Sequence, residues 1–548
     1  MPESSSTGPI VLPPKYYLDY FQDLLAFLDT HYAQILDGPE KAFVDQFQAL
    51  SEDAKCLFLR FSNRKGPGFR INKLDYEEIK DIPAATYELL EEGFISEDLP
   101  DDYATFNLFL KKELLDAYPE LRPYRNEKKI LLIERLLEAE ATIDQIANRE
   151  PVVLVDKQDD FEYLKLLYFG EYKVPMTEFV VRDVGHVKLE SLDEAAFKPW
   201  CQTRTEARAF FEISQIKSTI RQALKLFPAA LVHDELGSIP WQFFQQYSQS
   251  EKALSKIVIE LGQQLEREKE PELALHYYRL TKKHPARERQ IRILDGLGEK
   301  EQAVELAQTL LRDYSNASEK IFAKDFLNRT NIRINRSMTA RLADAPSVDL
   351  VPEAGMRVEQ LVIQHFVTSG YQAIHAENFL WRNLFGLLYW EELFDQSQDG
   401  FHHPLQRRAA DLYHPEFFTK REASFQAKAR SLNSRKKIIS KIEMTHRQKY
   451  GTAGPMVYWY EGMLNPLQQL VDKLMPRQIK GVTWEMARNM KENATGFPDL
   501  FVWNDKDYFF YEIKSPNDHL SAQQLFWLEL MQELRINADI LRVNYSDP

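Results

Sequence analysis

The chain is poor in cysteine, with only Cys56 and Cys201 among its 548 residues. Two cysteines that lie 145 positions apart cannot supply a disulfide framework or the ligands of a cysteine-rich zinc site. Their scarcity is typical of a reducing, intracellular compartment. The sequence must therefore fold around hydrophobic cores, and its 34 Phe, 25 Tyr and 8 Trp provide the material for them.

Long hydrophobic runs are also missing. No stretch approaches the roughly 18 uninterrupted apolar residues of a membrane-spanning helix, so we expect no membrane partner. The beginning, MPESSSTGPIVLPPKYY, lacks the basic start and apolar core of a secretory signal, and we expect residues 1–15 to be a disordered tail. The expected location is cytoplasmic and nucleoid-associated in a bacterium, or nuclear in a eukaryote.

Positive charge is scarce overall, because 69 basic residues face 83 acidic ones and give a net charge of −14. This balance excludes a uniformly basic coat for nucleic acid. Residues 420–449 nevertheless hold ten bases against two acids, which suggests a local polyanion-binding face, the alternative being a solvated helix face. The residues that we expect to contact phosphates there are Lys428, Arg435, Lys436, Lys437 and Lys441.

The segment CLFLRFSNRKGPGFRINKLDY (56–76) interleaves aromatic and basic residues. Aromatic rings can stack on bases or sugars while Arg and Lys contact phosphates. The segment therefore predicts a nucleic-acid contact, and the alternative is a helix, turn and hairpin with a solvated basic edge. The candidate DNA ligands are Arg60, Arg64, Lys65 and Arg70.

Residues 106–139 predict two short helices joined by a polar loop, with Lys128 and Lys129 at the start of the second. The pair resembles a SAP motif, a small helical DNA-binding unit, and an ordinary helical hairpin is the alternative. Further on, PVVLV and EFVVRDVGHVKLE (178–190) are typical of strands, and EARAFFEISQIKSTIRQALKLF is typical of a helix. This mixed region suggests no chemistry.

Residues 272–285 and 301–314 share Glu, Ala and apolar positions at an offset of 29. The segment resembles tetratricopeptide-like helical hairpins, although the offset is shorter than the usual period of about 34 residues. Such stacks serve as scaffolds, so a protein partner is a further expectation here. The stretch SMTARLADAPSVDLVPEAG (337–355) is small, polar and interrupted by two prolines, which predicts a linker.

The strongest local pattern is GFPDLFVWNDKDYFFYEIKS (496–515), two β-rich runs joined by a turn-type cluster. Alternation along the second run places Glu512 and Lys514 on one face of an otherwise apolar strand. Buried charges are costly unless they are paired or bind metal. Asp499 precedes the first run and can lie beside Glu512 across the hairpin. A Glu–Lys pair on an edge strand is the alternative.

This arrangement suits phosphodiester hydrolysis, which needs a divalent cation on a phosphate oxygen and an activated water. Asp499 and Glu512 would supply the hard oxygen ligands that Mg²⁺ prefers, and the carbonyl of Ile513 a third. Mn²⁺ is the other candidate cation. Lys514 would orient the water or offset charge on the phosphate. A helix with a Ser521-x-x-Gln524 capping box and a final strand at 536–545 follow.

The runs GFPDLFVWN and YEIKSPNDHLSAQQLFWL resemble the VRR-NUC branch of the PD-(D/E)xK nucleases. HAENFLWRNLFGLLYWEELF, FHHPLQRRAADLY and CLFLRFSNRKGPGFR resemble the Fanconi-associated nuclease family. This resemblance implies a 5′-flap endonuclease and 5′-to-3′ exonuclease that acts on branched DNA in interstrand crosslink repair. It adds Glu377 to the metal-binding acids and Gln524 to the catalytic residues, although helix roles are the alternative for both. Eukaryotic members carry a zinc finger that two cysteines cannot build, which implies a bacterial-type member.

Two other functions stay open at this stage, a Holliday-junction resolvase and a DNA-binding scaffold with an inactive nuclease fold. His402 and His403 could suggest a metal-binding pair. Adjacent side chains on a strand point apart, however, so we expect them to be a surface pair instead. Oligomeric state is not predictable.

The expected fold is mostly α and multidomain, with a C-terminal α/β nuclease. The expected divisions are a tail (1–15), an N-terminal helical DNA-binding region (16–104), a SAP-like and mixed α/β region (105–245), tetratricopeptide-like repeats (246–336), a linker (337–355) and a VRR-NUC nuclease domain (356–548).

Overall fold

The computed structural model describes residues 12–64, 66, 68–148, 150–183, 187–331, 341–414 and 416–546. Most of the expected tail and the candidate DNA ligand Lys65 lie outside the described residues. The chain divides into two compact units, residues 1–186 with 197–207, and residues 187–196 with 208–548. Within the described ranges, no helix is both long and apolar enough to cross a membrane.

The first unit is mostly helical, as its sequence periodicity predicts. Helix α1 buries Phe21, Leu24 and Leu28 on one face, and α2 begins at Asp37 with a capping box completed by Glu40. Its helices are α1 (Tyr16–Tyr32), α2 (Gly38–Ala49), α3 (Glu52–Ser62), α4 (Ile82–Glu91), α5 (Tyr103–Phe106), α6 (Lys111–Ala117), α7 (Lys129–Glu138), α8 (Asp144–Ala147), α9 (Gln158–Phe169) and α10 (Thr177–Asp183).

A small antiparallel sheet completes this unit, with β1 (Gly68–Arg70), β2 (Ile95–Ser96) and β3 (Val152–Val155) in the order β1-β3-β2. The strand predicted at PVVLV is therefore present. The strand predicted from residue 178 is wrong, because α10 occupies residues 177–183. The ring of Phe179 stacks on Tyr20 and contacts Tyr168. This packing outweighs the local strand preference of the valines, as tertiary context commonly does.

Helix α11 (Arg204–Leu226) follows, and the second unit continues with a run of helices. Consecutive helices of the predicted repeats pack against one another, α14 on α15 and α16 on α17. Gly262 allows α14 to lie close to α15, because a Cβ at this position would lie 2.6 Å from the Tyr278 ring. The helices are α12 (Ala229–Glu235), α13 (Trp241–Phe244), α14 (Ser248–Arg267), α15 (Pro271–Tyr278), α16 (Ala286–Gly296), α17 (Lys300–Arg312) and α18 (Ala317–Asn331).

A five-stranded mixed sheet lies at the C-terminal end, in the order β4-β8-β7-β6-β5. Its strands are β4 (Ser347–Leu350), β5 (Gln372–His375), β6 (Leu500–Trp503), β7 (Tyr508–Lys514) and β8 (Ala538–Tyr545). Strand β4 lies inside the segment expected to be a linker and pairs parallel with β8. The linker expectation is therefore wrong for residues 347–350: Val348 and Leu350 alternate with polar residues and pack against the core of the sheet, an alternation too short to stand out from the small and polar residues around it.

The predicted hairpin is present, with Leu500 opposite Tyr511 and Trp503 opposite Tyr508. Asn504 Oδ1 closes its turn by accepting hydrogen bonds from the N–H groups of Lys506 and Asp507. One face of the sheet packs Val502 and Ile513 against helix α19 (Val358–Thr368), and the other face carries Phe510, Glu512 and Lys514. This alternation is the one that the sequence predicts.

The remaining helices of the second unit pack against one another, and the last of them also packs against β8. The run FLWRNLFGLLYWEELF is apolar nearly all round, which predicts one buried helix; the structure has two buried helices there, divided at Tyr389. These helices are α20 (Phe379–Leu388), α21 (Trp390–Leu393), α22 (Glu416–Ser431), α23 (Arg435–Lys449), α24 (Leu464–Lys473), α25 (Pro476–Arg488), α26 (Met490–Asn493) and α27 (Ala522–Glu533).

Candidate active site

Asp499 lies immediately before β6 and is only 9% exposed. Its Oδ2 accepts a hydrogen bond of 2.8 Å from the backbone N–H of Ile513, where β6 no longer pairs with β7. The backbone N–H and C=O of one antiparallel strand residue point to the same edge, so the Ile513 carbonyl faces Asp499 too. The hairpin register therefore places two predicted oxygen ligands at one end of β6.

Glu512 and Lys514 are both buried on β7, at 1% and 7% exposure. The Lys514 ammonium lies 2.9 Å from Glu512 Oε1. The other oxygen, Oε2, is buried and has no hydrogen-bond partner among the described residues. A buried carboxylate oxygen without a hydrogen-bond partner is costly. The described side chains around Glu512 Oε2 do not supply such a partner.

Gln524 connects helix α27 to this pair. Its Oε1 accepts hydrogen bonds from the Ser521 N–H, at 2.8 Å, and from Lys514 Nζ, at 3.2 Å. Its Nε2 donates to Glu512 Oε1. The sequence left capping and a place in the site as alternatives for Gln524, and the geometry combines them, because one side chain caps α27 and orients two charged groups of β7.

Glu377 comes from the loop between β5 and α20. The backbone N–H groups of Ala376 and Glu377 donate to the Asp499 carbonyl at 2.6 and 3.2 Å, which fixes this loop against β6. Asn378 has a left-handed φ of 57°, which asparagine tolerates better than most residues. Its amide donates to Glu377 Oε1 and its oxygen accepts from the Gly496 N–H.

His375 is a residue that the sequence reasoning missed. It ends β5, and its Nε2 lies 3.8 Å from Glu377 Oε2. Ligand atoms of His375, Glu377 and Asp499 all lie within 4.8 Å of one another. The only local signal was a histidine two positions before Glu377, and it gains meaning only once β5 is seen to pair with β6.

Burial raises the pKa of both central carboxyl groups. Desolvation is the largest cause for Asp499, whose pKa rises to about 6; the Glu377 charge adds to the rise, and the Ile513 hydrogen bond opposes it. Desolvation also dominates for Glu512, whose pKa rises to about 8; the Asp499 charge adds to the rise, and the charge and hydrogen bond of Lys514 oppose it. At neutral pH the Glu512 carboxyl therefore retains a proton unless a cation takes its place.

The donor atoms fit a divalent cation. Carboxylate and carbonyl oxygens are the ligands of hard cations, and a cation beside Glu512 Oε2 would satisfy the oxygen that has no partner. Buried, pKa-shifted acids next to a lysine are typical of a functional site. The structure places the predicted catalytic residues in two adjoining groups that meet at Asp499. Glu377 lies beside Asp499 together with His375. The backbone N–H of Ile513 binds Asp499, and Glu512, Lys514 and Gln524 contact one another on the same strand and the following helix.

Comparison with known proteins finds nucleases. The family model described as "FAN1, HTH domain" matches residues 15–96, and the model of the VRR-NUC domain matches residues 433–545. The Fanconi-associated nuclease 1 homolog of Pseudomonas aeruginosa is 29% identical over 98% of this chain and 97% of its own length. This chain belongs to the Fanconi-associated nuclease family. This relative is bacterial, and the match extends over nearly the whole of both chains.

Solved structures of the Fanconi-associated nuclease family share the fold as well. Two crystal structures of paFAN1, bound to 5′-flap DNA with a gap and a flap of 2 or 1 nt, each match with a TM-score of 0.85. They are 27% and 28% identical to this chain, and each match covers 98% of this chain and 100% of that one. The chain is therefore a nuclease with the predicted mostly helical architecture.

The N-terminal DNA ligands predicted for this family member are largely engaged within the protein. Arg60 forms an ion pair with Glu78, and Arg70 forms ion pairs with Glu113 and Glu150. Arg64 is exposed and donates to the Tyr76 hydroxyl. The aromatic residues that we expected beside bases are in the core: Phe58, Phe61 and Phe69 are at most 7% exposed.

The SAP-like pair forms the predicted two helices, α6 and α7. Lys128 is the N-cap residue of α7 and is exposed. Lys129 is half-buried and donates to the Asn107 carbonyl at 2.7 Å. Lys128 is therefore the better placed of the two for a phosphate contact.

The basic stretch 420–449 forms helices α22 and α23, and its lysines fall into two groups. Lys428 and Lys441 both form ion pairs with Glu391, and Arg435 donates to the Leu474 carbonyl. Lys436 and Lys437 are exposed, and the described residues give neither ammonium a partner. The charge run alone could not distinguish these groups, because their partners lie in other helices.

The expected surface pair His402 and His403 is wrong, because both residues are 6% exposed. The backbone N–H of His403 donates to Gln406 Oε1, and His403 Nδ1 accepts from the Leu405 N–H. The segment therefore turns back on itself instead of running as a strand, which buries both rings.

Proposed function

We propose that the chain is a metal-dependent endonuclease that cuts branched DNA at 5′ flaps, with 5′-to-3′ exonuclease activity, in the repair of interstrand crosslinks. The observation that carries this proposal is the unpartnered, buried Glu512 Oε2 beside Asp499 and Lys514. The resemblance to paFAN1 bound to 5′-flap DNA supports the choice of substrate. Chromosomal DNA would be the setting, in the nucleoid of a bacterium.

Mg²⁺ or Mn²⁺ would be held by Asp499, Glu512 and Glu377, with the Ile513 carbonyl as a further oxygen. When bound, the cation supplies a contact to a phosphate oxygen and a lowered pKa for the attacking water. His375 adds a nitrogen donor beside these oxygens. Imidazole suits transition metals better than it suits Mg²⁺, which favours Mn²⁺ wherever both ions are present.

Residues of the chain then have distinct roles in the displacement. Water oxygen forms the new bond to phosphorus in line with the P–O3′ bond, which breaks and leaves a 3′ hydroxyl and a 5′ phosphate. The Lys514 ammonium offsets negative charge on the phosphate as this happens. Gln524 holds Lys514 and Glu512 in fixed orientation, so that little reorganisation is needed during the reaction.

Substrate choice is tested with end-labelled DNAs that differ only in structure: a 5′ flap, a 3′ flap, a nicked duplex and a four-way junction. We expect cleavage of the 5′ flap at least about tenfold faster than of the others, which corresponds to roughly 1.4 kcal/mol of preference. The assay is run with Mg²⁺, with Mn²⁺ and with EDTA, and EDTA is expected to abolish cleavage.

Other outcomes of this experiment would replace the proposal. A preference for the four-way junction, with paired symmetric cuts, would make the chain a junction resolvase. Tight binding of the flap without cleavage in either metal would make it a DNA-binding scaffold with an inactive nuclease fold.

Lys436 and Lys437 are expected to contact the DNA backbone. Changing both to alanine should weaken binding to flap and duplex DNA alike, because phosphate contacts carry no sequence information and both DNAs present the same duplex backbone. The slope of log Kd against log salt concentration should become shallower by about 0.9 for each lost contact, or about 2 in total. Fluorescence anisotropy at four salt concentrations measures this slope.

Lys506→Ala is a suitable control, because Lys506 is exposed on the turn between β6 and β7, at the far end of the hairpin from Asp499. It should leave the slope unchanged. If the Lys436/Lys437 variant has the wild-type slope as well, the two lysines form a solvated helix face and another surface binds the backbone.

A further inference from the structure

Four rings form a continuous row that ends at the candidate active site. The centroids of Tyr458 and Tyr460 lie 6.4 Å apart, Tyr460 lies 6.1 Å from Phe379, and Phe379 lies 6.4 Å from His375. His375 Nε2 is 3.8 Å from Glu377 Oε2. The row therefore leads from the outer surface to the carboxylates that would hold the cation.

The outer end of the row is held rigidly by helix α20. The buried Asn383 side chain accepts a hydrogen bond of 2.7 Å from the Tyr458 N–H, and Arg382 donates to the Pro455 carbonyl at 3.0 Å. Gly386 lets the same segment approach the helix, because a Cβ there would lie 2.4 Å from Val457 Cγ2. Helix α20 begins two residues after Glu377, so it fixes the rings relative to the metal-binding loop.

The Tyr458 ring is 72% exposed in spite of this rigid attachment. A single exposed aromatic residue needs no explanation by itself. Here the exposed ring continues a row that leads to the metal-binding carboxylates, and its main chain is fixed by the hydrogen bond to Asn383. An exposed ring on a main chain that is already fixed loses little backbone freedom when a planar group stacks on it.

We propose that Tyr458 and Tyr460 form a stacking surface for the base of an unpaired nucleotide close to the scissile phosphate. This inference rests on the proposed DNA-cleaving function. A base fits better than a phosphate because the outer part of the row consists of rings, and the guanidinium of Arg382, on the helix that holds this segment, is bound to a backbone carbonyl.

The length of the row sets how far the stacked nucleotide lies from the cut. Each ring-to-ring step is between 6.1 and 6.4 Å, and a B-form strand rises about 3.4 Å per nucleotide. Tyr458 can therefore reach a base within about five nucleotides of the scissile phosphate. An unpaired base is required, because both faces of a paired base within a duplex are already covered.

The test places 2-aminopurine, whose fluorescence falls on stacking, at each position within five nucleotides of the cut in a 5′-flap DNA. Binding is followed in EDTA, so that no cleavage occurs. The wild-type chain should quench one or two adjacent unpaired positions. Tyr458→Ala should remove most of that quench and raise Kd about tenfold, as the loss of one base–ring stack predicts. Tyr458→Trp should retain the quench.

Tyr314→Ala is the matched control, because Tyr314 is also exposed, at 44%, but lies on the helical repeats. It should leave the quench and Kd unchanged. If Tyr458→Ala behaves like Tyr314→Ala while the wild-type chain cuts the flap, the stacking inference is overturned and the nuclease proposal stands. If the wild-type chain binds the flap without cutting it in Mg²⁺ or Mn²⁺, the proposed function fails, and the quench still decides whether the rings stack on a base.

Discussion

Asp499→Ala is expected to lower the rate of flap cleavage by at least about 10³-fold, since it removes one oxygen ligand and one hydrogen-bond acceptor from the centre of the site. DNA affinity should stay within about twofold of wild type, because Asp499 is 9% exposed and the candidate backbone contacts lie on other elements. Single-turnover cleavage and anisotropy, measured on the same 5′ flap, separate the two effects.

The alanine variant also leaves the Ile513 N–H without its acceptor, which costs about 1–3 kcal/mol of stability. Asp499→Asn keeps an oxygen for that hydrogen bond and removes only the negative charge. It should fold like wild type and lose nearly as much activity. Asp505→Asn, at the turn of the same hairpin, serves as a charge-matched control with wild-type cleavage. Full activity of Asp499→Ala, which has no side-chain oxygen at this position, would exclude Asp499 as a metal ligand.

Affinity for Mn²⁺ is expected to rise about 100-fold between pH 6 and pH 8. Without a cation, the pKa of Glu512 is about 8 and that of Asp499 about 6, chiefly because both are buried. A cation must displace these protons, so its apparent affinity follows the ionised fraction of each group. Glu512 accounts for most of the change and Asp499 for about a further factor of two.

Titration calorimetry in buffers of different ionisation enthalpy measures both the affinity and the number of protons released. Near pH 7, about one proton should leave for each ion bound, and Glu512→Gln should remove that release. An affinity independent of pH would show that the ion binds away from these carboxyl groups.

The same raised pKa values determine how stability depends on pH in metal-free protein. A folded-state pKa above the ordinary values of 4.5 for Glu and 3.8 for Asp means that the folded chain binds more protons than the unfolded chain. The free energy of unfolding contributed by these groups is therefore fully present below about pH 4 and is lost as pH rises toward 8. Saturating Mn²⁺ at pH 8 should restore it.

The hairpin at 500–514 was predictable because the residues that determine it lie close together in the sequence. Period-two alternation, a turn cluster and an adjacent Asp specify which side chains share a face, and the register then brings Asp499 beside Ile513. Glu377 lies 122 residues before Asp499, and it reaches the site only because β5 pairs with β6. Local pattern cannot foresee such pairing, so Glu377 came from family resemblance and His375 was missed.

In the basic–aromatic segment 56–76, by contrast, the local pattern could not show which side chains are used inside the protein. Its rings and cations suited nucleic acid by spacing, yet the fold uses Phe61 and Phe69 as a stacked core pair. Arg70 is neutralised by Glu113 and Glu150, which lie 43 and 80 positions away. An exposed basic face and an internal ion-pair network have the same local composition, and only tertiary partners distinguish them.

The most direct test of a metal-dependent site at Asp499 and Glu512 is anomalous diffraction from crystals soaked in Mn²⁺ at pH 8, collected above and below the manganese absorption edge. The geometry predicts a peak about 2.0–2.4 Å from Asp499 and from Glu512 Oε2, the range of carboxylate–metal distances. No peak should appear in crystals of Asp499→Ala. A peak at another cluster, or none between these carboxylates in a protein that cuts DNA with Mn²⁺, would contradict the assignment of the active site.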